Sequence, residues 1–322
     1  MGIQKKYWTL LVGFICFIAG CKSGTKAGTR GHSSATDKDG HESYQFQLKL
    51  ATGAKYNCNI NSETITNIVV NDKEVISTNK STFGLQYEVL YSSPDSIVLK
   101  ATYQTFHIVI KSGDEEKVTD ADNAAESQDP MEKLLSNIKG SSLIITMNNK
   151  GKVKAVTGSD AITEKVLAGL SLFDEASKQK VKAQLTKLIG NDFIKNNIES
   201  GFNFYPDSAV IAGNSWQAKI TQPGEINLIA NTTYTLNSLD EGIATVAVTS
   251  KVSTGNNKAI IINQQVNADI KGETNGSSEA DMASGMLIFS KTTSQMEGTI
   301  QIMAKEIPIT ISTKKQINIK RL

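Results

Sequence analysis

From Tyr44 the chain alternates: Tyr44, Phe46, Leu48 and Leu50 are apolar, and Gln45, Gln47 and Lys49 between them are polar. Successive side chains of a strand point to opposite faces, so a period of two describes a strand with one dry face and one wet face. The period returns at Tyr56, Cys58 and Ile60, at Leu85, Tyr87, Val89 and Tyr91, and at Ile97, Leu99, Ala101 and Tyr103. Sheets that keep one face in water and one on a core are typically antiparallel. That class constrains everything downstream.

The punctuation agrees with it. Thr52-Gly53-Ala54 turns into the Tyr56 strand, and Thr64 to Val70 is expected as a further strand after a polar break. Ser92-Ser93-Pro94-Asp95 is a turn, because proline presets φ and aspartate bonds its own backbone. After Tyr103 the apolar phase slips to Phe106, Ile108 and Ile110, which predicts a bulge near Gln104 and Thr105. Leu143, Ile145 and Met147, then Asn148-Asn149-Lys150-Gly151, then Val153 to Val156, spell a hairpin. In the last third, strands are expected at 227–230, 233–237, 243–252, 259–266, 285–290, 299–304 and 307–319, with Lys271 to Ala280 as a loop.

Between these β regions the period changes to that of a helix. Pro130 opens a short helix with Met131, Leu134, Leu135 and Ile138 on one face. Ser159 or Asp160 is expected to cap a second, striped by Ile162, Val166, Leu167 and Leu170. Val181, Leu185, Leu188 and Ile189 stripe a third, stopped by Gly190, and Phe193, Ile194 and Ile198 a fourth. Single-faced stripes call for packing against a sheet. The fold class expected is therefore mainly β (α+β): antiparallel sheets or half-barrel halves with a central helical block packed on a sheet.

Two features restrict the chemistry. The formal charge of +2 is supplied by Lys5 and Lys6, so the remainder is neutral, and arginine occurs only as Arg30 and Arg321. Nucleic-acid binding needs a basic patch that displaces counterions, which such a chain lacks. Cys16 and Cys21 lie in the first segment, which leaves Cys58 alone and in phase with Tyr56 and Ile60, a buried thiol rather than a nucleophile. His32 and His41 lie in a polar stretch, and His107 falls on the wet face of its strand. Gly113 to Asp129 carries seven carboxylates, but Ala124 and Ala125 stand where a calcium loop needs an oxygen ligand and a glycine, so a solvated loop is expected. Gly213-Asn214-Ser215-Trp216-Gln217 misses the nucleophile-elbow pattern at its last position. No catalytic residue, no metal site and no cofactor is assigned. Trp216 is expected mostly buried.

Ahead of the folded region stands an address. Lys5 and Lys6 precede an apolar run from Tyr7 that ends in small residues at Gly20, the pattern of a secretory signal peptide. It is shorter than the roughly 20 apolar residues of a spanning helix. Ile18-Ala19-Gly20-Cys21 resembles the lipobox of bacterial lipoproteins, and that resemblance implies cleavage before Cys21 and acylation of its thiol. Lys22 to Ser43, rich in Gly, Ser, Thr and Lys, reads as a tether with a reach of roughly 25 Å. The lipobox, the tether, the hairpin 143–156 followed by Gly158-Ser159-Asp160, and the passage from Tyr205-Pro206 to Trp216 together resemble an uncharacterised family of bacterial envelope lipoproteins. The strand-rich parts flanking helices also look like the half-barrels of lipoprotein carriers.

These readings divide the chain into residues 1–20 (signal peptide), 21–43 (lipidated Cys21 and tether), 44–158 (N-terminal β-rich half), 159–205 (helical block) and 206–322 (C-terminal β-rich half). The function expected is a non-enzymatic envelope lipoprotein, anchored through Cys21 in the outer membrane and facing the periplasm, that binds an apolar ligand between sheet and helices or a partner protein. The alternatives are a structural or assembly subunit of an envelope complex and a carboxylate-based hydrolase.

Overall fold

The computed structural model describes residues 34–36, 42–122, 130–169, 174–191, 194–195, 198–199, 204–222, 226–261, 264–302 and 305–322. A small pair, β1 (Ser34–Thr36) and β2 (Glu42–Tyr44), precedes the body. The body is one antiparallel sheet built from β3 (Lys55–Val70), β4 (Lys73–Ser92), β5 (Ile97–Ser112), β6 (Glu115–Asp120), β7 (Ser142–Met147), β8 (Val153–Thr157), β9 (Ser215–Gln222), β10 (Ile226–Asp240), β11 (Ile243–Ile261), β12 (Gln264–Asp281), β13 (Leu287–Ile302) and β14 (Lys305–Arg321). The path across it runs β8-β7-β5-β4-β3-β14-β13-β12-β11-β10-β9, with β6 on β5. Helices α1 (Pro130–Ile138), α2 (Ser159–Ala168) and α3 (Glu175–Ile189) complete the described elements.

The expected class is therefore found, with the two strand-rich parts fused. Ile60 of β3 faces Ile317 of β14, and the ladder between these strands runs from Ile68/Ile309 to Tyr56/Arg321, which joins the chain's first long strand to its last. The sheet does not close into a barrel: among the described residues β8 pairs only with β7 and β9 only with β10.

Several boundaries differ from the sequence reading. Residues 64–70 continue β3 without a break, because Asn59, Asn61 and Glu63 lie on the wet face and Ser62 on the dry one. The expected loop at Lys271–Ala280 is the second half of β12, paired on both sides. The expected strand 259–266 is divided between β11 and β12, 227–237 lies within the single strand β10, and 287–290 and 299–302 of the next two belong to β13. Part of the expected acidic loop is strand β6. Residues 44–50 keep their alternation, with Phe46, Leu48 and Leu50 at 1%, 3% and 4% exposure, yet beyond Tyr44 they are no ladder strand. They cross the ends of other strands as a strap: Tyr44 pairs with Val210, Leu48 N–H donates to Asn149, Lys49 N–H to Ser284 and Gly53 N–H to Val89.

The bulge is where the phase slip placed it, since Gly84 faces Thr105 and Leu85 faces Tyr103, leaving Gln104 extra. Helix α2 begins after Gly158 at φ 104° with no side-chain cap, and Ser159, expected as a cap, instead donates its hydroxyl to Asn191 at 2.7 Å.

The dry face holds two separate cores. The larger takes in the buried apolar residues of the described helical segments (Leu135, Ile138, Ile162, Val166, Leu185, Ile189, Ile194 and Ile198), the strap, and one end of the strands. The smaller, at the other end, is made of strand residues alone, from Ile68 of β3 through Ile309, Met296 and Ile270 to Leu228 of β10. No described helical residue belongs to this cluster, in which Ala268 and Ile270 are at 1% and 0% exposure. Strands β12 and β13 approach closely where side chains are missing: a Cβ on Gly272 would come within 2.0 Å of the Gln295 carbonyl, and one on Gly276 within 2.1 Å of that of Lys291.

Candidate functional site

The residues singled out by sequence, Ile18, Ala19, Gly20 and Cys21, lie outside the described residues, as do His32 and His41. Within the body, Cys58 is fully buried and burial pushes its thiol up to about 12. Among the described residues it is the lone thiol, and it is packing, as its phase predicted. His107 and Asp120 meet at 3.2 Å on the outward face, and the Asp120 carboxyl is held below its usual range, first by the Asp122 N–H at 2.9 Å and then by His107. Glu132 of α1 accepts the Asp120 N–H at 3.0 Å, and Lys139 pairs with Asp122. These carboxylates tie β5, β6 and α1 together. Among the described residues no three His, Cys, Asp or Glu side chains converge to hold a metal ion.

The chamber expected between sheet and helices is occupied by side chains. Val166, Leu185, Ile145 and Met147 are all at most 1% exposed there. Beside them Phe204 sits within 5.5–6.0 Å, ring centre to ring centre, of Phe46, Tyr205, Trp216 and Tyr234. Trp216 is mostly buried, as expected, packed against the larger core with its indole N–H donating to the Phe204 carbonyl at 2.7 Å. Lys150 pins the same region by donating to the Phe46 and Pro206 carbonyls at 3.1 and 2.6 Å, and burial lowers its pKa. Tyr205 donates to the Gly285 carbonyl at 2.9 Å. Gly285, at φ +69°, lets the strap pass, since a Cβ there would meet the Gln47 carbonyl at 1.8 Å.

Between the two cores a polar line crosses the dry face. Asn79, Thr64, Thr313, Ser294, Thr274, Ser250 and Thr232 are successive cross-strand partners on β4, β3, β14, β13, β12, β11 and β10. Hydroxyls bond along it at 3.2 Å (Thr64 to Thr313), 2.7 Å (Thr274 to Ser294) and 2.8 Å (Thr232 to Ser250). Each residue lies on a different strand, so local sequence gives no sign of the line.

The wet face carries a concavity that side chains could use. A cleft of about 600 Å³ opens across β9 to β12. Two registered rows line it: Lys219-Asn231-Lys251-Glu273 and Gln217-Thr233-Thr249-Asn275. With strands about 4.8 Å apart, each row spans roughly 14 Å. The rows offer amides, hydroxyls, two ammonium groups and a carboxylate, with neither thiol nor imidazole. Such a lining makes hydrogen bonds and ion pairs with a polar surface or ligand.

The outward positions of the other long strands are mainly polar, with Asn57, Asn59, Asn61 and Glu63 on β3, Gln316 and Lys314 on β14, and Lys291, Gln295 and Glu297 on β13, interrupted by Ile65 on β3 and Ile76 on β4. A membrane-spanning barrel has the reverse arrangement, with an apolar band outside. Fold and site together define a β protein whose sheet shows water a polar face and keeps its apolar face inside. Residues 94–287 match the family of unknown function DUF6263, and the chain belongs to that family. No curated protein matches the sequence. Among solved structures the chain is similar to an outer membrane channel from Pseudomonas putida F1 (7% identity, TM-score 0.25, covering 85% of this chain and 97% of that one). It is also similar to the translocator domain of the autotransporter NalP from Neisseria meningitidis (6%, 0.21, 84% and 89%) and to OpdQ of Pseudomonas aeruginosa (8%, 0.18, 85% and 99%). Scores this low assign neither fold nor function.

Proposed function

We propose that this protein is a non-catalytic lipoprotein of the bacterial cell envelope, held by acylated Cys21 with its body in water, on the periplasmic side of the outer membrane. The observation that carries the reading is the polarity of the sheet. A body whose long strands turn Asn, Lys, Glu and Thr outward is wetted on that face, so attachment to a bilayer has to come from outside the sheet. The Ile18-Ala19-Gly20-Cys21 sequence supplies it. Two or more acyl chains on one residue make such anchoring stable, where a single chain holds only marginally. The body's work is binding a partner protein, for which the polar cleft over β9–β12 is the fitting face. Filled packing beneath the helices favours this over an apolar ligand at that place. Metabolic labelling with a fatty acid should tag the wild type and leave a Cys21→Ala variant untagged. A variant that still carries label and sediments with membranes would refute the anchor.

A further inference from the structure

We infer that the groove under residues 44–50 accepts the same segment from a second copy of this chain, so that two copies exchange straps and each completes the other's larger core. The strap binds as an extended peptide does, with alternate side chains in apolar places and the backbone held at single points. Phe46, Leu48 and Leu50 are buried, and the Phe46 ring centre lies 5.7 Å from those of both Phe204 and Trp216. Leu48 N–H donates to the Asn149 carbonyl at 2.8 Å and Lys49 N–H to that of Ser284 at 2.7 Å. Lys150 donates to the Phe46 carbonyl at 3.1 Å, and the Asn149 amide to the Gln47 side chain at 3.3 Å. Among the described residues ahead of β3, none is laddered to the large sheet: β1 and β2 pair with each other, and Tyr44 makes a single bridge to Val210. A segment held this way leaves its place without breaking a strand.

The hinge is short and free to move. A turn at Ala51–Ala54, closed by the Ala54 N–H on the Ala51 carbonyl at 3.0 Å, joins the strap to β3. Ala51, Thr52 and Gly53 are exposed, and Gly53, at φ +84°, has open space where a Cβ would stand. Straightening this turn carries the strap off its own body, and residues 44–52 fully extended span about 30 Å. The partner is fixed by identity. The occupant that fits this groove is the strap seated in it, and a second copy offers the same side chains in the same order. Exchange keeps all of these contacts, so the closed and exchanged forms differ in the hinge and in the effective concentration of straps. Anchoring at Cys21 raises that concentration, but exchange does not require it.

The test co-expresses two full-length copies, one with Gln47→Cys and the other with Asn149→Cys, and treats the purified protein with a short bismaleimide before peptide mass spectrometry. Cys58 is buried and does not compete. Neither chain holds both substitutions, so a peptide pair joined between positions 47 and 149 comes from two copies. The double variant in one chain marks the same crosslink formed within a copy. Exchange predicts the 47–149 crosslink and a covalent dimer from the co-expressed copies. It predicts none between Asp114→Cys and Asn149→Cys copies, because the β5–β6 turn lies at the opposite end of β5 from the β7–β8 hairpin. A 47–149 crosslink that appears only when both substitutions share a chain, or that the 114–149 pair matches, overturns the inference. A protein that takes no fatty-acid label yet still gives the 47–149 crosslink between copies would sink the anchor and leave exchange standing.

Discussion

At the strap end the dry face of the sheet is covered by α1, α2, α3, residues 44–50 and a knot of aromatic rings around Phe204. At the other end the same face holds a cluster of Ile, Val, Leu, Ala and Met from the strands themselves, with no described helical residue among them. The first solution needs large side chains delivered from elsewhere in the chain. The second has small residues where its strands approach closely: Gly272 and Gly298 lie on its side of the β12–β13 pair. One sheet therefore contains a core closed by docked elements and a core of strand side chains alone, and the hydroxyl line marks the border.

The comparison can be broken hardest at Phe46. Phe46→Ala should cost about 4 kcal/mol and loosen the strap end, seen as faster hydrogen exchange at 204–216 with the smaller core unaffected. Gly272→Ala should cost about 2 kcal/mol and do the reverse, since its Cβ has backbone to displace rather than a mobile side chain. Thermal melts that rank these two the other way would mean the strand-only end is the stiffer core.

Alkali should discriminate the ends as well. Burial raises the pKa of Cys58 to about 12 and raises those of Tyr87, Tyr205 and Tyr234, all in the strap-end core. In the unfolded chain these groups lose protons at lower pH, so the stability they lend is present below about pH 9 and is lost as pH rises toward the folded values. For Cys58 alone the slope reaches about 1.4 kcal/mol per pH unit. Tyrosinate absorbance should appear together with unfolding, and gradual titration of the native state would contradict the burial.

Smaller effects test the border and the wet face. Thr232→Val strands the Ser250 hydroxyl and should cost about 1 kcal/mol, while the double change with Ser250→Ala should be close to neutral. Lys80→Ala, which removes an exposed pair with Glu63 at 3.1 Å, should cost under about 1 kcal/mol in urea melts.

How much of this could be read in advance depends on the range of the interaction. The bulge at Gln104, the α1 stripe, the 143–156 hairpin and the buried Cys58 are local patterns, and each was legible. Lys271–Ala280 was not, because Gly272, Thr274, Gly276 and Ser278 look like a loop until Thr292 and Ser294 are known to lie opposite them. Residues 44–50 carry a strand's alternation for another reason: a strap pressed between strand ends has the same two sides. The cleft and the hydroxyl line draw on four and seven strands respectively. Only the register assembles them, and register is a property of the folded sheet.

The account stands on a water-borne body tied to a membrane by the chain ahead of Tyr44. A site-specific protease sequence inserted between Lys22 and His41 tests this directly in isolated membranes washed at high salt. Cleavage should release the whole strand-built body, residues 42–322, into the soluble fraction, still folded by circular dichroism. A body that stays with the membrane after complete cleavage would show that the sheet itself is embedded, and the polarity argument would fail.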